Sequence, residues 1–165
     1  MKMLTLLLCF ISSMCMAQNT PSLCDKTLTK EFDEIDGVDY IYTKTITVRS
    51  QQDSATFKLG YGSANKTNVY FIINFKGDNM CIDTGNAIYI LFNDGTRLEL
   101  TGESQKNCLG RSIVTIDSKL STFKTKKIKA IRVYTSTESV DVYLPDLESS
   151  GLTFMLNCLC NNINK

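Results

Sequence analysis

Between residues 38 and 144 apolar and polar side chains alternate with a period of two, β-branched and aromatic residues are abundant, and turn residues interrupt at short intervals. Successive side chains of a strand point to opposite faces, so this alternation marks strands with one face buried. The pattern predicts an all-β fold, an antiparallel β-sandwich of about eight strands over 40–48, 55–59, 68–75, 87–92, 96–101, 112–116, 128–134 and 140–144. The separators Gly60-Tyr61-Gly62-Ser63, Lys76-Gly77-Asp78-Asn79 and Asn93-Asp94-Gly95 carry residues that tolerate turn geometry.

Two segments depart from the alternation. Asp117, a helix-capping residue, precedes Leu120 and Phe123 spaced three apart, which fits a short helical turn. Residues 146–160 place Leu147, Phe154, Cys158 and Leu159 near one stripe, predicting a C-terminal helix across the sheets.

The hairpin 87–100 offers two registers. A two-residue Asp94-Gly95 turn would set Phe92 opposite Arg97 and Ile90 opposite Glu99, mixing apolar and charged faces. A three-residue loop with Gly95 left-handed sets Ile90 opposite Leu98 and Ile88 opposite Leu100, which keeps one face apolar and is preferred.

The first residues read as an address. Lys2 supplies positive charge, 4–11 form a short apolar run, and Cys15-Met16-Ala17 offers small residues for a signal peptidase. The expected boundaries are a signal peptide over 1–17 and a single domain over 18–165. The apolar run is far shorter than the roughly 20 residues of a membrane span, so a chain that is not transmembrane, secreted or periplasmic, is expected. A lipid anchor on Cys15 is disfavoured by the bulk of Met14 before it.

In an oxidising compartment Cys24, Cys81, Cys108, Cys158 and Cys160 tend to pair, and their odd number leaves one over. The hairpin register brings Cys81 near Cys108, predicting a disulfide across its base. A bond from Cys24 to either C-terminal cysteine would tie the chain ends, and Cys24 with Cys160 is the pairing chosen. Cys158-Leu159-Cys160 lacks C-x-x-C spacing.

The chain contains no histidine, which removes Ser/His and Cys/His nucleophile pairs and the HExxH zinc helix. No metal or cofactor motif is present, and a net charge of +1 gives no field to attract nucleic acid. The sharpest catalytic motif is Asp83-Thr84-Gly85, with which aspartic proteases present their carboxylate. Such enzymes need two carboxylates sharing a proton. Here the motif occurs once, after polar turn residues, and reads more simply as a chain reversal into the next strand.

Glu31, Asp33, Glu34, Asp36 and Asp39 match no calcium loop and read as a solvated loop with a turn at Asp36-Gly37. The basic run 124–129 lacks interleaved aromatics and reads as a charged approach to a strand. Tyr40, Tyr42, Tyr61 and Tyr70 are the aromatics considered for stacking on sugars. Asn65-Lys66-Thr67 fits the eukaryotic N-glycosylation sequon.

The leader ending Met16-Ala17-Gln18, the segments Ile90-Leu91-Phe92-Asn93-Asp94-Gly95-Thr96 and Lys127-Ile128-Lys129-Ala130-Ile131-Arg132-Val133-Tyr134, and the final helix ending Leu156-Asn157-Cys158-Leu159 together resemble small secreted proteins common in Bacteroidota. The resemblance implies an envelope location and a β-rich fold and carries no activity. Asp53-Ser54-Ala55 is similar to the O-glycosylation site of those bacteria, with Ser54 the acceptor. The expected function is a non-catalytic binding or interaction module for a protein or glycan ligand. The alternatives are a carboxylate hydrolase using Asp83 and a purely structural envelope protein.

Overall fold

The computed structural model describes residues 22–50, 55–76, 87–101, 110–135 and 139–164. Within them ten strands form two antiparallel sheets, as the alternation requires. The first sheet has the order β1 (Leu28–Asp33), β2 (Val38–Thr43), β4 (Thr56–Ala64), β5 (Asn68–Lys76), β8 (Arg111–Thr115), with β3 (Ile46–Arg49) also paired to β4. The second has the order β10 (Ser139–Tyr143), β9 (Ile128–Tyr134), β6 (Ala87–Phe92), β7 (Arg97–Thr101). Phe57, Leu59 and Tyr61 of β4 and Phe71 and Ile73 of β5 meet Ile88, Ile90, Ile131, Val133, Val140 and Val142 of the second sheet in one apolar core.

The chosen hairpin register is the observed one. Ile88 pairs with Leu100 and Ile90 with Leu98, the Phe92 amide donates to the Thr96 carbonyl at 2.9 Å, and Gly95 has φ +84°. The short helical segment is a 3₁₀ turn at Asp117–Lys119 running into α2 (Leu120–Thr125). It drives Phe123 into the core, edge-on to Tyr61 and Phe92.

Four sequence expectations need correction. Residues 40–48 are not one strand: β2 and β3 divide one edge of β4, against Gly62–Ala64 and Thr56–Leu59 respectively. The chain steps out of the ladder between them, and Thr43 Oγ1 accepts the Tyr61 amide at 2.9 Å. Gly60-Tyr61-Gly62-Ser63 is accordingly the interior of β4 and not a turn. Its glycines serve close packing, since a Cβ on Gly62 would lie 2.9 Å from the Tyr42 ring.

The acidic segment is also partly a strand. Residues 28–33 form β1, mostly exposed at a sheet edge, where burial imposes no alternation to read. The turn at Asp36-Gly37 is present: Gly37 has φ +65° and Asp33 Oδ1 accepts the amides of Ile35 and Asp36. In the C-terminal helix, α3 (Asp146–Ile163), the buried stripe is Leu152, Met155, Leu156 and Leu159, at the i, i+3, i+4, i+7 spacing of one face. Leu147 is 82% exposed and Phe154 39%, so neither belongs to it.

Candidate binding face

Period two in the second sheet sends Ile88, Ile90, Ile131, Val133, Val140 and Val142 inward, so the intervening residues form the outer face. Three registers then align that face into rungs across all four strands. One rung is Asp141–Arg132–Tyr89–Glu99 and the next is Tyr143–Ala130–Leu91–Arg97. Tyr134 lies beyond the first, paired with Ser139.

Arg132 and Asp141 are fixed as a bidentate pair, with Nε to Oδ1 and Nη2 to Oδ2 both at 2.6 Å. Arg132 also donates to the Tyr134 hydroxyl. These contacts, Asp141 first, raise the Arg132 pKa, while the same hydrogen bonds hold the Asp141 carboxyl below its ordinary range. Tyr89 packs edge-on against Tyr134 with ring centroids 5.7 Å apart. Desolvation, then the neighbouring Glu99 carboxylate, pushes the Tyr89 phenol upward. At neutral pH Tyr89 therefore stays a neutral phenol beside the Arg132–Asp141 ion pair.

The small side chain of Ala130 leaves a dip between its taller neighbours, an open hollow of about 510 Å³ whose lining includes Tyr89, Tyr134, Tyr143, Arg97, Arg132 and Asp141. Tyr143 is 47% exposed at one end. A hollow of this size with aromatic walls and a few fixed polar groups suits reversible capture of a small polar ligand. Among the described residues no three His, Cys, Asp or Glu side chains converge as metal ligands would.

The residues singled out from sequence are distributed otherwise. Tyr61 is a core residue and Tyr70 lies on the outer face of the first sheet. Tyr40 and Tyr42 stack at 5.7 Å beside Glu31, Phe32, Asp33 and Ile35, around a second, wider concavity of about 640 Å³. No ion pair fixes that concavity's side chains among the described residues, and Asp33 is occupied in its own turn. Asn65 sits in the β4–β5 turn with φ +49°, its Oδ1 accepting the Asp39 amide at 3.0 Å. Cys81, Asp83, Cys108 and Ser54, and the leader with Cys15, lie outside the described residues.

The Cys24 pairing is a correction. Cys24, in the short helix α1 (Leu23–Thr27), bonds to Cys158 of α3 and not to Cys160, with Cα atoms 5.1 Å apart. Two positions along a helix turn a side chain by about 200°, so the two cysteines face opposite ways. Cys158 meets α1, whereas Cys160 is a buried free thiol in the core, its pKa raised by desolvation. Sequence reasoning missed Tyr89, Arg132, Tyr134, Asp141 and Tyr143. The signal lay in their parity, opposite to the isoleucines and valines beside them.

No helix among the described residues is long and apolar enough to cross a membrane. Compared with models of known protein families, with curated proteins and with solved structures, the chain matches none.

Proposed function

We propose that the protein is an exported, non-catalytic binding module that holds its ligand on the outer face of the four-stranded sheet. The observation that carries the reading is the Arg132–Asp141 pair, locked at 2.6 Å and flanked by exposed tyrosines around a hollow. An ion pair at a surface contributes little to stability, about 0–1 kcal/mol, so packing alone gives small reason for this arrangement. Export is supported by the leader-like residues 1–17 and by the Cys24–Cys158 disulfide, which belongs to an oxidising compartment.

Titrating the labelled protein with a mixed set of short peptides and saccharides while following backbone and tyrosine NMR signals tests the reading. Shifts should gather on Tyr89, Arg132, Tyr134 and Tyr143 and weaken in a Tyr143→Ala variant. Shifts gathering instead on Tyr40 and Tyr42 would move the site to the first sheet and sink the proposal.

A further inference from the structure

The chemistry of this face specifies its ligand more narrowly. We infer, on the reading that the face is the binding site, that the ligand is an uncharged oligosaccharide lying across the strands over Ala130 and Leu91.

Charge is the first argument. Arg97 and Arg132 stand on the same two rungs as Asp141 and Glu99, so the formal charges of these two rungs cancel and give a strongly ionic ligand no Coulombic advantage there. A phosphate or sulfate would meet the Asp141 carboxylate beside Arg132; a cationic peptide would meet the guanidinium beside Asp141.

Hydrogen-bond complementarity is the second. Arg132 spends Nε and Nη2 on Asp141 and a further N–H on the Tyr134 hydroxyl, which still leaves some of its five N–H groups as donors beside the remaining lone pairs of the carboxylate. A fixed donor next to a fixed acceptor matches neighbouring sugar hydroxyls, each of which donates and accepts. Both protein groups are charged and already oriented, so each hydrogen bond is stronger than a neutral one and costs little ordering.

Shape is the third. The Tyr143–Ala130–Leu91–Arg97 rung is low in its middle and walled by Arg132 and Tyr89 of the adjoining rung. Three interstrand spacings give it a length of about 14 Å, which suits a short chain of sugar rings better than a single one. Tyr143 and Tyr89 supply apolar ring surface for the C–H faces of the sugar, and each carries a hydroxyl at its tip.

The test uses the full chain and a panel of neutral hexose and pentose oligosaccharides of increasing length, with uronic-acid and sulfated oligosaccharides and basic peptides as comparators. Binding is read by calorimetry and by the NMR signals of β9 and β10. Expected is binding of at least one neutral series that strengthens with length, with about tenfold or greater weakening in Arg132→Lys. Ala130→Phe, which fills the hollow without removing a polar group, should weaken it similarly. Circular dichroism confirms that each variant is folded. If only acidic glycans or peptides shift the β9 and β10 signals, the inference fails while the binding face stands. Neutral-sugar binding indifferent to both variants overturns the face as well. Absence of binding across the neutral series also overturns the inference.

Discussion

Replacing Cys24 by serine should destabilise the protein by several kcal/mol without touching the core. Cys24 is half-buried in a five-residue helix, whereas its partner Cys158 is 1% exposed and remains in place as a thiol. The substitution therefore isolates the cross-link from the packing. The bond joins residues 134 apart in sequence. Chain-entropy arithmetic for a loop of that length, 2.1 + 2.98 ln 134 cal/mol/K, gives about 5 kcal/mol at 25 °C. A second disulfide between Cys81 and Cys108 would shorten the effective loop by about 27 residues and reduce the figure by only about 0.2 kcal/mol. Measured losses on removing native disulfides run about 2–5 kcal/mol, a large part of the 5–15 kcal/mol by which domains are stable. In urea this corresponds to a midpoint lower by about 1–2 M. Cys160→Ala is the control: it removes a small buried side chain and leaves the bond, and peptide mapping without reduction should still recover Cys24 linked to Cys158. Recovery of Cys24 linked to Cys160, or a loss below about 1 kcal/mol for Cys24→Ser, would refute the reasoning.

Two further predictions concern the strand interior and the charged turn. Gly62→Ala places a methyl 2.9 Å from the Tyr42 ring and 3.1 Å from Ile72 Cδ1. Overpacking of about 1–3 kcal/mol should outweigh the 0.5–1 kcal/mol that removing a strand glycine returns, and Tm should fall by roughly 2–4 °C; a Tm at or above that of the parent contradicts it. Asp94 has its pKa lowered from 3.8 to about 2, first by the hydrogen bond from Lys126 and then by the Thr96 amide. A depressed folded-state pKa means that the stabilisation is complete above the unfolded value and is lost as pH falls from about 4 through about 2. Asp94→Asn should flatten the fall in stability over that window, as measured by urea unfolding at stepped pH, and an unchanged slope would remove Asp94 from the account.

Legibility in the sequence followed burial. Strands with one face in the core, such as Ala87–Phe92 and Ile128–Tyr134, show the alternation plainly and were placed to the residue. Leu28–Asp33 escaped because an edge strand with most side chains in water has no pattern to preserve. The glycines of β4 misled for a related reason. In isolation Gly60 and Gly62 look like turn formers, and only the Tyr42 ring and Thr43 hydroxyl above them, supplied by another strand, explain their absent side chains. The cysteine pairing differed by two helix positions. The sequence places Cys158 and Cys160 near the chain end, but the rotation of α3 about its axis is set by Leu152, Met155, Leu156 and Leu159, and that rotation decides which sulfur faces α1.

The binding face was harder to read than the fold because no single segment contains it. Its Asp141–Arg132–Tyr89–Glu99 rung depends on three registers at once. The β6–β7 register followed from the Asn93-Asp94-Gly95 loop, where one pairing kept the apolar face intact. The β9–β6 pairing is non-local and includes a bulge at Leu91–Phe92 that resets the parity between Ile128 and Ala130. That bulge keeps Ile128, with Phe92, in the core, next to the floor of Ala130 and Leu91 that the alternation from Ile90 and Ile131 already sets outward. A straight ladder would carry the alternation through Ile128 and set it outward. The floor and walls of the hollow thus follow from alternation within each strand, which is written locally, whereas the pairing that sets the strands side by side, and the bulge that returns Ile128 to the core, are not.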